Sequence, residues 1–288
     1  MSTSPLTVST VEGIRTLTMA DPRRLNGWTA AMRQALHDAF GEASGDPAVG
    51  AVVLTGTDPW YSAGAHLAGI VKPAPPQQLR DYFAASNEAL FQIFLGFDKP
   101  VVAAVNGPAM GAAVTSAALC DALLASEHAT FSTPFARLGV PPEGCSSEML
   151  PRLMGREAAG RMLGPEGWVP TAAEALGAGL VQEVVPHAEL VGRAQALAAA
   201  WIAEGRPRTF RAGFTRAELQ AINARESQAL ADAFLAPPFL MGQFRFLWSR
   251  RKVGPALTFL ALRATRPAWS LLLRAPEPVA APRTPSAG

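Results

Sequence analysis

Hydrophobic positions in the first half of the chain switch between a period of two and a period near four. Leu6 to Thr10 and Ile14 to Met19 read as two short strands around a turn at Glu12-Gly13. Trp28, Met32, Leu36 and Phe40 then recur every four residues, which predicts an amphipathic helix with Thr29 near its start. Asp46-Pro47 closes that unit, and Ala51 to Thr55 is a continuous apolar strand ended by Gly56. Strand, helix and strand in this order predict a right-handed crossover. Gln77 to Phe97 sets Leu79, Phe83, Leu90, Phe91 and Phe94 on one helical stripe, which serves a core and, in part, a pocket.

Val101 to Val105 is a second fully buried strand, broken by Asn106-Gly107-Pro108 before a small-residue helix that begins near Gly111. A buried strand that stops at glycines and opens into a helix presents free backbone N–H groups, which is one half of an oxyanion hole. Further on, Thr171 and Glu174 have the spacing of a capping box. The helix they start stops at Gly177 and Gly179, before a strand over Leu180 to Val185. Leu190, Ala194, Leu197 and Trp201 give another amphipathic helix. After Gly205 only helical patterns follow, over Phe214 to Phe234 and Gln243 to Lys252. The pattern therefore predicts an α/β core over 1–204, a helical region over 205–252 and a basic, apolar tail over 253–288. Pro255 and Pro267 are expected to interrupt any helix in that tail, and Pro276 onward reads as disordered.

Composition narrows the class. Hydrophobic residues make up 49% of the 288 positions and charged residues only 17%, the balance of a folded chain. Cys120 and Cys145 supply no disulfide framework or zinc spacing, and the four histidines form no ligand pair, so no metal is expected. From Gly205 onward there are 13 basic and 4 acidic residues, against 12 and 19 before it, so a basic end follows an acidic core. Such an end suits a phosphorylated small molecule, an anionic lipid or an acidic neighbouring subunit. Without a zinc-finger, RNA-binding or basic-zipper signature, nucleic acid is not expected as a partner. Met1 to Leu6 lacks the basic start and apolar core of a secretory leader, and Ser286-Ala287-Gly288 is unlike a peroxisomal address, so a cytoplasmic location is expected.

Three separated segments share one resemblance. The loop Ser62-Ala63-Gly64-Ala65, the stretch from Lys99-Pro100 to Asp121, and the run Ala172 to Val181 resemble the crotonase (enoyl-CoA hydratase/isomerase) superfamily over roughly residues 5–252. The resemblance implies a spiral of ββα units with a C-terminal helical oligomerisation region. It also implies acyl-CoA thioester substrates with no cofactor beyond the substrate's own coenzyme A, and assembly as a homotrimer or a dimer of trimers. Its two oxyanion-hole N–H groups map to Ala65 and Ala112. A thioester enolate gathers charge on one oxygen, and each preorganised donor there contributes about 3–4 kcal/mol.

The two glutamates that activate water in hydratases of the family map to Thr115 and Phe135, so hydration is disfavoured. Leu138 to Ser147, with Asn106 to Ala109 and Thr133 to Phe135, is instead similar to the peroxisomal-type Δ3,Δ2-enoyl-CoA isomerases, whose base maps to Glu143. One carboxylate suffices to move a proton from the α- to the γ-carbon, and Phe135 and Leu138 would raise its pKa. Glu148 is a second acid nearby that, if it entered the pocket, would perturb Glu143 or move a proton itself.

The resemblance also implies substrate contacts at Ser62, Ala63, Gly64, Leu67, Gly111 and Phe135, with Asn26 beside the pantetheine and Arg23, Arg24, Arg250 and Lys252 near the phosphates. His66, where many members carry an acid or amide, is assigned no role, because a lone loop histidine is ordinarily structural or solvated. The expected activity is an enoyl-CoA isomerase. The alternatives are another crotonase-type acyl-CoA reaction or a catalytically weak thioester-binding or assembly protein. For the tail, packing against another subunit is expected ahead of an interfacial membrane contact.

Overall fold

The computed structural model describes residues 4–65 and 74–273. The continuous apolar runs form the inner strands β3 (Ala51–Gly56), β4 (Val101–Val105) and β6 (Ala122–Ser126), every residue of which is buried. Strands covered on both faces by helices have no solvent side, hence the lack of alternation. They sit in a six-stranded sheet of order β1-β2-β3-β4-β6-β8, with β1 (Leu6–Val11), β2 (Ile14–Met19) and β8 (Glu183–Val185). Only the β1–β2 hairpin is antiparallel; the other neighbours are parallel, in registers such as Leu17↔Leu54 and Leu54↔Ala103. Two short strands, β5 (Ala109–Met110) and β7 (Phe131–Ser132), pair separately, parallel to each other.

Helices cover both faces. In chain order they are α1 (Ala30–Gly45), α2 (Pro76–Leu95), α3 (Ala112–Ala118), α4 (Phe135–Leu138), α5 (Ser146–Leu163), α6 (Ala172–Gly177), α7 (Leu190–Ala203), α8 (Arg216–Phe234), α9 (Pro237–Ser249) and α10 (Val253–Trp269). Val52, Leu54, Val101, Ala103 and Val105 face the main core with Met32, Phe40, Phe91 and Phe94, while Ala51, Val53, Val102 and Ala104 meet the α7 stripe of Leu190, Ala194, Ala198 and Trp201. The Thr29 cap and the Thr171–Glu174 capping box are both formed. β8 is shorter than its apolar run suggested, because Leu180 and Val181 enter the core ahead of the strand. Neither β6 nor α5 was anticipated.

The motif residues at the ends of β4 and α3 are tied into the frame. Lys99 donates from Nζ to the Ala43 and Asp46 carbonyls, both at 2.6 Å. Buried Asp121 accepts from Val101 N at 2.8 Å, from Thr209 N at 2.6 Å and from the Arg208 guanidinium. That cluster pins the chain after α7 and lets α8 lie along α2, where Asn87 Nδ2 donates to Ser227 Oγ at 3.0 Å.

The tail departs from expectation. Residues 253–269 form the continuous helix α10 despite Pro255 and Pro267. Pro255 occupies the first turn, where its missing N–H has no intrahelical partner to lose, and Pro267 falls in the last turn. Phe259 and Trp269 are buried in a cluster with Leu79, Phe83, Phe239 and Leu240, so tertiary packing holds the helix. The segment from Pro276 onward lies outside the described residues, as do His66 and Leu67.

Candidate active site

The loop 62–65 is fastened to the chain before α1. Asn26 is fully buried with a φ of +52°; its amide nitrogen donates to the Thr57 and Trp60 carbonyls, both at 2.7 Å, and its Oδ1 accepts from Asp21 N at 3.0 Å. Ser62 Oγ donates to the Asn26 carbonyl at 2.7 Å and accepts from Gly64 N at 3.0 Å. Ala63 N donates to Leu25 O, and Trp28 N donates to Gly64 O. Asn26 and Ser62 thus hold the loop with all of these polar atoms engaged inside the protein.

The same loop lies against the start of α3. Met110 N donates to Ser62 O at 3.0 Å, and Gly111 N donates to Ser132 O at 2.8 Å. Gly64 has a φ of +71°, and a β-carbon there would collide with the Met110 carbonyl oxygen and come within 3.2 Å of Ala112 N. Only glycine permits that approach. Ala65 N and Ala112 N have no acceptor among the described residues, and Ala112, as the first residue of α3, cannot have an intrahelical one. Ala65, Gly111 and Ala112 line one cavity of about 200 Å³, together with Ala63, Phe135, Leu138 and Glu143. Phe83 and Leu90 from the α2 stripe, Val140, and Leu230 and Phe234 from α8 complete its apolar wall. The cavity is therefore shared between the α/β core and the helices after residue 205.

Glu143 is the sole acid among the described residues lining that cavity. It is 5% exposed, and Thr115 Oγ1 donates to its Oε1 at 3.2 Å, while Oε2 is buried with no partner among the described residues. Thr115 and Phe135 therefore flank Glu143: one holds it and the other walls the cavity. Gly144, with a φ of +66°, lies so close to the Phe91 ring and the Thr115 hydroxyl that a β-carbon would meet both. Burial pushes the Glu143 carboxyl up to about 8, repulsion from Glu226 adds to the rise, and the Thr115 hydroxyl opposes it.

Glu226, on α8, is the residue that the sequence reading missed. It is 5% exposed, and its Oε2 accepts from Cys145 N at 2.7 Å and its Oε1 from Ser147 N at 2.9 Å. Burial raises it to about 7 against the pull of those hydrogen bonds. A signal existed: Leu219, Ile222, Glu226 and Leu230 share one helical stripe, so an acid occupies a core position. Glu148, by contrast, does not enter the cavity; it is ion-paired with Arg225 and partly exposed.

The cationic candidates stand apart from the cavity. Arg23 and Arg24 lie exposed on the turn 22–24, with Arg24 Nη1 donating to Asp21 Oδ2 at 3.0 Å. Arg250 and Lys252 lie exposed between α9 and α10, and the Arg250 guanidinium sits 5.3 Å above the Phe246 ring. None of the four lines the cavity.

A raised carboxyl makes folding stability depend on pH. Between about 4.5 and about 8, native Glu143 keeps a proton that the unfolded chain releases, so stability falls as pH rises through that window. Glu143→Gln removes the penalty. The variant is expected to be more stable than wild type at pH 8, by on the order of a few kcal/mol, and to lose that advantage at pH 5. Urea unfolding at the two pH values checks this; equal differences at both would contradict the buried, protonated state.

Known proteins resemble this chain in sequence and in fold. The model of the enoyl-CoA hydratase/isomerase family matches residues 9–235. A Mus musculus protein named enoyl-CoA delta isomerase 3, peroxisomal, is 41% identical over 183 residues, 62% of this chain and 56% of its own length. The Homo sapiens enoyl-CoA delta isomerase 2 is 34% identical over 262 residues, 86% and 64% of the two chains. This chain thus spans a little over half to nearly two thirds of the length of these relatives. Proteins named as hydratases match as well, at 33% and 36% identity. A solved enoyl-CoA hydratase/isomerase from Pseudoalteromonas atlantica T6c superposes with a TM-score of 0.72 at 27% identity, covering 86% of this chain and 97% of that one. The spiral α/β frame and the matched span together make this chain a member of the enoyl-CoA hydratase/isomerase family.

Proposed function

We propose that the chain is an enoyl-CoA isomerase that moves the double bond of a 3-enoyl thioester to the 2-position. One observation carries this reading: Glu143, the sole acid among the described lining residues, shares a small, mostly apolar cavity with two backbone N–H groups that have no acceptor among the described residues. Ionised Glu143 takes a proton from the α-carbon, and the electron pair spreads over the dienolate onto the thioester oxygen. The Ala65 and Ala112 N–H groups stabilise that oxygen. The protonated acid then returns the proton to the γ-carbon, so atoms and charge balance without water. A carboxyl raised to about 8 suits an acid that must hold the proton between the two halves.

Hydration needs a positioned water and an acid pair around it, whereas Thr115 and Phe135 leave one acid on an apolar wall. The relatives named as isomerases support the same choice. Coenzyme A is read as part of the substrate, with Arg23, Arg24, Arg250 and Lys252 as candidates for its phosphates outside the cavity. Exposed Phe246, Trp248, Leu257 and Leu260 on α9 and α10 support assembly as a homotrimer or dimer of trimers. No described helix is long and apolar enough to cross a membrane. The purified chain should convert 3-enoyl-CoA to 2-enoyl-CoA far faster than it hydrates 2-enoyl-CoA, as mass spectrometry of the products would read. The reverse ranking would defeat the reading.

A further inference from the structure

The first turn of α5 needs acceptors that its own cap does not provide. Cys145 occupies the N-cap with a φ of +66°, and its side chain makes no capping hydrogen bond. Unsatisfied N–H groups in a buried helix start are costly. Glu226 reaches across from α8 and takes the Cys145 and Ser147 N–H groups, one on each carboxylate oxygen. A carboxylate that accepts on both oxygens at a helix N-terminus is favoured as the anion. Cys145 Sγ, meanwhile, donates to Leu219 O on the same helix at 3.2 Å, so the turn is held to α8 twice.

That turn is the one that presents Glu143. The Glu143 carbonyl accepts from Ser146 Oγ at 2.7 Å, and Gly144 rests on Phe91 and Thr115. We propose that Glu226 is a positioning residue of the site, clamping the Gly144–Cys145 turn and opposing, through its charge, the ionisation of Glu143. This rests on the reading of Glu143 as the base. The directions agree: backbone hydrogen bonds favour the Glu226 anion, and its charge adds to the burial that holds the proton on Glu143. Neither carboxyl has an ion-pair partner among the described residues. Charged groups on the packed elements include Arg33 on α1, Arg80, Asp81 and Glu88 on α2, Glu148, Arg152, Arg156, Glu157 and Arg161 on α5, and Arg216, Glu218, Arg225 and Asp232 on α8; Arg80 pairs with Asp232 and Arg225 with Glu148. The Cys145 thiol is pushed up and stays neutral. Thr115, Asn223 and Ser227 carry no charge.

The test is the pH dependence of kcat/KM for 3-enoyl-CoA in wild type, Glu226→Gln and Glu226→Asp. Glu226→Gln keeps an amide oxygen for the turn but removes the charge, so the acidic limb should move down by about one pH unit. Glu226→Asp keeps the charge on a shorter arm, so the limb should stay while kcat falls. A folded Glu226→Gln enzyme whose limb does not move would overturn the proposal and leave Glu226 a structural cap. Should that variant fail to fold, difference infrared titration of wild type and Glu143→Gln reads the buried carboxyls directly. The step lost with residue 143 must lie above the Glu226 step that remains; a lost step at or below it overturns the coupling. A Glu143→Gln enzyme with full turnover would remove the base assignment instead, while the infrared comparison still decides the coupling.

Discussion

Glutamine in place of Glu143 is expected to lower turnover of 3-enoyl-CoA by about a thousandfold, the range for loss of the lone general acid/base of the proposed reaction. The cavity supplies no substitute, since no other described residue on its wall is an acid. The amide fills the same volume and still accepts from the Thr115 hydroxyl, so thioester binding should persist and KM should change far less than kcat. Loss of binding along with turnover would mean that the substitution had collapsed the loop. Near-normal turnover would return the chemistry to some other residue. Absorbance of the conjugated 2-enoyl thioester follows the rate directly.

Alanine at Gly64 is expected to cost nearly as much, through geometry and without touching an ionisable group. The added methyl collides with the Met110 carbonyl and crowds Ala112 N, so the loop that carries Ala65 must retreat from α3. In the proposed reaction the Ala65 and Ala112 donors would then diverge, and an oxyanion hole that loses one donor loses about a hundredfold to a thousandfold in kcat. An alanine held in a left-handed conformation adds about 1–2 kcal/mol of strain. The discriminating readout is kcat with the melting temperature measured alongside. A folded Gly64→Ala enzyme with unaltered kcat would show that the close approach of the two loops is not what aligns the donors.

Much of this architecture was legible because its signals are local. The buried runs 51–55 and 101–105, the four-residue spacing of Trp28 to Phe40 and the Thr171–Glu174 box depend only on neighbouring residues, and each formed its element. The placement of Glu143 in an apolar cavity with Ala65 and Ala112 followed from resemblance, not from periodicity. What escaped depends on contacts distant in sequence. Glu226 and Cys145 are 81 positions apart, and no local pattern announces that an acid on one helix will cap another. Glu148 looked like the second acid because it is close in sequence, yet α5 turns it outward to Arg225. α10 escaped for the opposite reason: its prolines are local breakers, but Pro255 falls in the first turn, where no bond is lost, and packing of Phe259 and Trp269 holds the helix through Pro267. The helices after residue 205 likewise looked separate until α8 supplied Leu230 and Phe234 to the cavity wall.

The Oε2 atom of Glu143, which has no hydrogen-bonding neighbour among the described residues, bears on the fate of an isotope. A hydrogen lifted from the α-carbon onto a buried oxygen exchanges with solvent only as fast as water reaches the cavity. Substrate carrying deuterium at the α-carbon and turned over in ordinary water should deliver much of its label to the γ-carbon. A base open to bulk water would lose the label before returning it. Mass spectrometry of the product distinguishes the two, so a buried base would make each turnover an internal transfer of one particular hydrogen nucleus.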